Sequence, residues 1–408
     1  MEVLYARCAG LDVHKDTVVA CVRIASGGEV EQHVEPFATT TSALLRLSDW
    51  LDGHGVTHVA MESTGVYWKP VWHVLEENFE LVLANAMHIK NVPGRKTDVN
   101  DATWIADLLA HGLIRGSFVP PTSIQELRGL TRTRKQLVRQ KASHVQRIDK
   151  LLHDANLKIG SVLSDIMGKS GRAILDGLVA GTTDPEILAA KVNKRVRSTN
   201  AERVEALRGR VTKHHRFLLK LHLEQIDGLD KAIASIEAEV GDTLAPFRAA
   251  AGRLTTIPGV SDIAAGVIVA EIGVDMSRFP SDAHLISWAT LCPRSDESAG
   301  KRRSTRTRPG ATWLKTLLVQ CAWSAARTKG TYLRAQFLRL KARRGPKKAI
   351  VAVAVSILTA AYHMLRNGTD YNDLGPHHFD HLHKAKAANR HLRRLRELGF
   401  EVEIKEAA

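Results

Sequence analysis

Four carboxylates stand where a divalent cation could be held. Asp12 lies near the end of the first apolar run, in GLDVHK. Glu62 closes a later run, in VAMESTG, and Asp98 and Asp101 open a helical stretch in KTDVNDA. The i, i+3 spacing of the last pair places both on one helical face. Four buried anions repel strongly unless cations neutralise them. Hard oxygen donors suit Mg²⁺, which keeps waters and substrate phosphates in its shell. One or two such ions can activate a nucleophile and stabilise a leaving oxygen at a phosphodiester. Each acid also has an ordinary alternative role. Asp12 can start a hairpin turn with His14 and Lys15, and Glu62 can sit at a strand–helix junction. Asp98 and Asp101 follow Thr97, where capping and the helix dipole favour acids. Lys15, Ser63, Thr64, Arg95 and Lys96 are phosphate contacts or solvated loop residues.

A second set of residues lies in LCPRSDESAGKRRSTRTRPG. Ser298 and Gly300 precede Lys301, Arg302 and Arg303, with Arg306 and Arg308 beyond. A serine hydroxyl is a poor nucleophile unless neighbours lower its pKa or stabilise the pentavalent phosphorus. By residue type alone Ser298 is one of five hydroxyls here, with Ser295, Ser304, Thr305 and Thr307. Upstream, LTTIPGVSDIAAGVIVAEIG has the outline of a helix–hairpin–helix, in which Gly259 would present backbone N–H groups to a phosphate. Ser261 stands where a second glycine is usual, so a plain helical hairpin is the competing reading.

Arg128, Arg132, Arg134, Lys135 and Arg139, with Lys141 and Arg147 further on, lie in a stretch (127–148) without any acid. They fit backbone binding to RNA or DNA, or an ordinary charged helix exterior.

Charge distribution supports a polyanionic partner. The chain has 408 residues, 44 % of them apolar and 25 % charged, with a net charge of +15. Two or three domains with real cores are expected, which excludes wholesale disorder and a membrane-embedded transporter. Residues 301–350 hold 15 Lys/Arg and no acid, while the remaining 358 residues carry 43 charges of each sign. The entire excess sits in one block, the footprint of a nucleic-acid binder, with an anionic membrane second. Cys8, Cys21, Cys292 and Cys321 lack metal-site spacing and read as free thiols in a reducing compartment. The opening MEVLYARCAG lacks the plan of a signal peptide, and the expected location is cytoplasmic. Ala349–Leu365 is apolar but falls short of a membrane crossing, so a buried helix is expected. His377, His378, His381 and His383 lack zinc-site spacing and read as a solvated helix start.

The elements that must position these residues follow from periodicity. Strands are expected at Val3–Val13, Thr17–Ile24 and Val30–Val34, with a turn at Gly27-Gly28. A helix follows at Ser42–Leu51, a strand at His58–Met61, a helix at Val66–Glu77, a strand at Glu80–Ala84 and a helix at Asp98–Ala110. The order is an antiparallel meander finished by two crossovers. In that order strands one and four are neighbours and the last helix crosses over them, so the acids converge. From Thr122 one long helix is expected, with a stripe from Ile124 to Leu152. A Gly-containing insert occupies 160–200, and a second long helix runs from Ala201 to Val240, with His214 standing in once for an apolar residue. The pair is coiled-coil-like, within one chain or between two. A third, helical unit runs to Arg366, followed by a basic helix (His381–Leu398) and a strand-like Phe400–Ile404.

Taken together, GLDVHKDT, MESTGVYW, KTDVNDA, IPGVS…AAGVIVAEIG, LCPRSDESAGK and YNDLG…LRRLRELGFEVE resemble, in order, the insertion sequence 110 family of DEDD transposases. The resemblance implies an α/β N-terminal domain that is ribonuclease-H-like (RuvC-like) over 1–115. A coiled-coil helical region over 116–245, a mostly α-helical transposase domain over 246–372 and a basic tail over 373–408 would follow. It implies a Mg²⁺-binding tetrad of Asp12, Glu62, Asp98 and Asp101. It also implies a nucleophile at Ser298, which alone sits in the S-x-G-K context and would form a phosphoserine link to DNA. It further implies double-stranded donor and target DNA, a structured non-coding bridge RNA that chooses the sites, and dimers assembling to tetramers. A bacterial cytoplasmic protein, nucleoid-associated when acting and with no membrane partner, is expected. Asp296 and Glu297 beside the serine depart from a purely cationic surround. The competing readings are a metal-dependent junction nuclease that uses water, a non-catalytic nucleic-acid scaffold, and an actin-like sugar kinase, whose later glycine-rich phosphate loops are missing here.

Overall fold

The computed structural model describes residues 2–63, 65–84, 89, 101–293, 296–304, 306–308, 310–379 and 384–401. The chain divides into two compact units, Met1–Val119 and Pro120–Ala408.

The first unit is a five-stranded mixed sheet. β1 (Arg7–Val13), β2 (Thr17–Ser26) and β3 (Glu29–Ala38) form the antiparallel meander, joined at Gly27-Gly28 by a turn with φ of 60° and 90°. Positive φ at both turn residues suits the twist of the flanking strands, and glycine adopts it without strain. Then come α1 (Thr41–Gly53), β4 (His58–Ser63), α2 (Trp68–Leu75), β5 (Glu80–Leu83) and α3 (Asp101–Ala110). The strand order is β3-β2-β1-β4-β5, with β4 parallel to both β1 and β5. Side-chain alternation divides β1 between two cores. Ala9, Leu11 and Val13 pack with α1 and α2 through Leu44, Leu47, Leu51, Val71 and Leu75. On the other face Cys8 and Ala60 pack with Ile105, Leu108 and Leu109 of α3. The first strand starts at Arg7 rather than Val3, and the last helix is described from Asp101.

The second unit opens with α4 (Thr122–Asp154). The insert forms α5 (Ile159–Val162), α6 (Lys169–Val179), α7 (Pro185–Ala190) and α8 (Asn200–Ala206), and α9 (Lys213–Thr243) returns along α4. Arg134 bonds Glu237, Lys141 bonds Asp230 and His215 bonds Asp154. As α4 numbering rises its partners' numbering falls, so the two helices are antiparallel and pair within the chain. The expected continuous helix from Ala201 is broken. A Cβ on Gly209 would meet the carbonyl oxygen of Ala155 at 2.3 Å, and Thr212 starts α9 with a capping box that includes His215. His215, not His214, turns inward.

α10 (Arg248–Thr255), α11 (Asp262–Ile272), α12 (Asp282–Trp288), α13 (Thr312–Arg327), α14 (Tyr332–Arg344) and α15 (Pro346–Asn367) build the remaining helical core, and α16 (Lys384–Glu397) follows. Between α12 and α13 the expected loop contains a small hairpin, β6 (Asp296–Ser298) and β7 (Lys301–Ser304). α15 is long and apolar enough to cross a membrane, yet it packs as a core helix. Val353, Ala354, Ile357, Leu358 and Ala361 are fully buried, and the Tyr362 hydroxyl donates to the Phe279 carbonyl at 3.1 Å. Phe400 and Glu401 are not in a strand.

Candidate active site and nucleic-acid interface

Asp12 and Glu62 are partners in the parallel β1–β4 register, so they share one face. That face is the one covered by α3. Gly10, two residues before Asp12, lies directly beneath the helix: a Cβ there would meet the Ala102 carbonyl oxygen at 2.2 Å and the Ala106 nitrogen at 2.3 Å. Leu4 N–H donates to the Ala110 carbonyl, and the Cys8 thiol donates to the Ala106 carbonyl. The helix therefore runs antiparallel to β1, and its N-terminal residue Asp101 lies toward the strand end that carries Asp12. Three of the four expected acids thus belong to one end of one sheet face. Asp98 lies outside the described residues.

Asp12 is one-fifth exposed, and its carboxylate accepts a hydrogen bond from His14 Nε2 at 3.1 Å. Glu62 and Asp101 are half-buried and engaged in interactions of their own. Among the described residues no three His, Cys, Asp or Glu side chains are grouped closely enough to hold a metal ion. The donor chemistry nevertheless suits a hard divalent cation: all three are carboxylates, and two of them face each other directly across the ladder, where like charges destabilise.

Ser298 ends β6 and pairs with Lys301 of β7 across Ala299-Gly300. Ala299 and Gly300 have φ of 51° and 72°, the two-residue turn in which both central residues are left-handed. The turn sets Ser298 one cross-strand step from Lys301, which is exposed. The base of the hairpin is tied down. Arg308 donates to the carbonyl and hydroxyl of Ser287 at 2.9 and 2.7 Å. Lys315 Nζ donates to Thr307 Oγ1 at 2.7 Å and to the Arg308 carbonyl at 3.2 Å. Burial lowers the Lys315 pKa. Arg308 thus holds the loop rather than facing outward, whereas Arg306 is exposed. The backbones of Arg302 and Arg303 lie in β7. Only its bonds to Thr290, Thr307 and Arg308 distinguish Lys315 from the other cations of the block, and the sequence around it carries no sign of them.

Gly259 forms the turn between α10 and α11 at φ 89°. A Cβ there would meet Cys321 O and Ala325 N of α13 at 2.5 Å, so the glycine has a packing reason independent of any ligand.

The basic face of α4 is sorted by its partners. Arg128 donates to the carbonyls of Ala270 and Glu271 at 3.0 and 2.7 Å, closing the C-terminal end of α11, and burial lowers its pKa. Arg132 makes a bidentate pair with the buried Glu271, both bonds at 2.8 Å. Arg134 bonds Glu237 on α9. These three cations, expected either to face nucleic acid or to form an ordinary charged exterior, are thus each bonded within their own unit. Lys135 and Arg139 have no carboxylate partner among the described residues. With Arg132 they surround the Trp313 ring, at 5.8, 5.4 and 5.7 Å from its centroid.

Comparison with known proteins is consistent across the chain. Residues 9–156 match the profile of the DEDD-type IS110 transposase domain, described as a transposase. Residues 251–338 match the profile of the IS116/IS110/IS902 transposase family. The chain is 27 % identical over 279 residues to the transposase for insertion sequence element IS1111A of Coxiella burnetii, covering 67 % of each protein. The first matched segment contains the acid-bearing sheet and the second contains Ser298, so the chain belongs to the IS110 family of insertion-sequence transposases.

Proposed function

We propose that this transposase cuts and rejoins DNA with Ser298 as nucleophile and with Asp12, Glu62, Asp98 and Asp101 as a Mg²⁺-holding tetrad. The observation that carries the reading is the β1–β4 register, which pairs Asp12 with Glu62 beneath the helix opened by Asp101. The meander followed by two parallel strands supports a ribonuclease-H-like fold for the 1–115 domain. The antiparallel α4–α9 pair supports a coiled-coil region within 116–245, placed before the serine-bearing domain of 246–372 and the tail of 373–408.

In the proposed step Ser298 Oγ forms a bond to a DNA phosphorus and loses its proton to solvent. One P–O bond to deoxyribose breaks, and the departing oxygen takes up a proton. Attack of a second strand's hydroxyl on the phosphoserine reverses the step and rejoins the DNA. Bound Mg²⁺ would supply charge neutralisation at the phosphodiester and at the leaving oxygen. Lys301, Arg302, Arg303 and Arg306 contact phosphate in this reading, and base choice is delegated to a structured non-coding RNA. The working form is a homo-oligomer, a dimer assembling to a tetramer, acting in the cytoplasm on donor and target duplexes.

The test uses purified protein with its co-purifying RNA, Mg²⁺ and labelled element-junction DNA on a denaturing gel. A protein-linked DNA band that disappears in both Ser298→Ala and Asp12→Ala is the expected result. Cleavage without a linked band, persisting in Ser298→Ala, would retire the serine and leave a metal-dependent nuclease acting through water.

A further inference from the structure

The insert between the long helices is a built module with a cleft. Leu157, Ile159, Ile174, Leu178, Leu188 and Val192 pack with Ile148 and Leu152 of α4 and Leu219 and Leu223 of α9, so the module is cored onto the end of the helix pair. A cleft of about 1450 Å³ opens between the 158–170 segment and the 195–208 segment. One wall is pinned by Arg203, which donates to the Val196 carbonyl at 2.7 Å, to Ser198 Oγ at 3.0 Å and to the Ser198 carbonyl.

The charges lining the cleft are unevenly committed. Glu202 accepts from the Thr199 N–H and hydroxyl at 2.7 and 3.0 Å, Asp165 accepts from Met167 N–H at 2.9 Å, and Glu205 pairs with Arg208 at 3.4 Å. Lys158, Lys169, Arg195 and Arg197 are exposed and have no carboxylate partner among the described residues. No aromatic side chain lines the cleft. It therefore offers cations, the groups that hold phosphates, and no surface on which bases stack. The cations line a concave cleft between two segments, which suits the backbone of a single strand.

We infer that this cleft is a binding site for the phosphodiester backbone of an unpaired or looped nucleic-acid strand. The inference rests on the proposed use of a structured RNA, and it assigns the contact to a module outside both family-matched segments, 9–156 and 251–338, apart from Asn156 at the cleft edge. An RNA loop and a single-stranded DNA segment share the required chemistry.

The experiment is binding of the full chain to three labelled probes: an RNA hairpin with an unpaired loop, a single-stranded DNA, and a DNA duplex, each over a salt series. The variant is Lys169→Gln/Arg195→Gln/Arg197→Gln. Each phosphate contact on a single strand contributes about 0.7 to the log–log salt slope, so three lost contacts lower the slope by about 2. That fall is expected on the RNA loop, on the single-stranded DNA, or on both, which identifies the source of the strand, while the duplex slope stays unchanged. Lys220→Gln, an exposed cation of α9, controls for general loss of charge and is expected to change nothing. Unchanged slopes on both single-strand probes, or an equal fall on the duplex, would overturn the site. Ser298→Ala is expected to keep wild-type binding on every probe. Loss of the protein-linked band with binding intact therefore concerns the catalytic reading, and loss of the binding difference concerns the cleft.

Discussion

Asp12 and Glu62 face each other across the parallel β1–β4 ladder, on the sheet face covered by α3. Like charges directly opposite on one sheet face disfavour each other, and the register is set by the pairing of the whole β1–β4 ladder. In the proposed reading, this register is what a divalent cation would use.

Magnesium is accordingly expected to raise the melting temperature of the wild-type chain. A ligand at about 100 times its Kd stabilises the folded state by about 2.7 kcal/mol. Asp12→Asn removes one anion of the pair, so its stability in EDTA should match or exceed wild type while the Mg²⁺-dependent rise disappears. Scanning calorimetry with and without Mg²⁺ checks both halves; an equal rise in the variant would remove Asp12 from the metal site.

Gly10→Ala tests how α3 is seated. The added methyl would overlap the backbone of Ala102 and Ala106, and no side-chain rotation relieves a clash with backbone. A loss of about 3 kcal/mol is expected, at the upper end of overpacking costs, read by urea denaturation. Strand cleavage should fall at temperatures where the variant is still folded, because Asp101 moves with the helix.

Arg132→Ala leaves the buried Glu271 carboxylate without its bidentate partner. Removing one member of a buried pair costs about 3–5 kcal/mol, and the remaining approach of Arg128 Nε at 3.8 Å together with water entry from the half-exposed arginine side places the expected loss near 3. The double variant Arg132→Met/Glu271→Met should recover most of it. Denaturant midpoints of the three proteins decide the point; a nearly neutral single variant would show that the Arg132–Glu271 pair contributes little to stability.

His144 and His222 face each other from α4 and α9, Nδ1 to Nδ1 at 3.1 Å. Burial, then His144 and then Arg147 hold the His222 pKa below its ordinary 6.5. The unfolded chain takes up this proton first, so the full contribution is present above pH 6.5 and is lost as the pH falls below it toward the folded-state value. The α4–α9 pair should loosen on acidification across that window, and His222→Leu should flatten the pH dependence of stability.

The placement of the three described acids of the candidate site was legible because its determinants are local. Asp12, Glu62 and Asp101 sit at the ends of strongly patterned elements, and the crossovers place those ends together. The cations were not legible in this way. Arg132 meets Glu271 across 139 residues, and nothing in the periodicity of α4 distinguishes it from Arg139, which lacks such a partner. The break before α9 escaped detection for the same reason: Gly209 is required by a backbone approach from Ala155, not by its neighbours in sequence.

The sequence by itself determined the meander-and-crossover order, the placing of three acids at strand and helix ends, the buried character of α15 and the family. Hydrophobic period and turn chemistry are short-range and are written into consecutive residues. Only the tertiary structure decided that α4 and α9 pair antiparallel within one chain, that the Ser298 segment is a hairpin with Lys301 opposite, and which arginines are bound to their own protein. Those outcomes depend on which charges and backbones meet after folding, because an ion pair or a close glycine contact is fixed by distance in space.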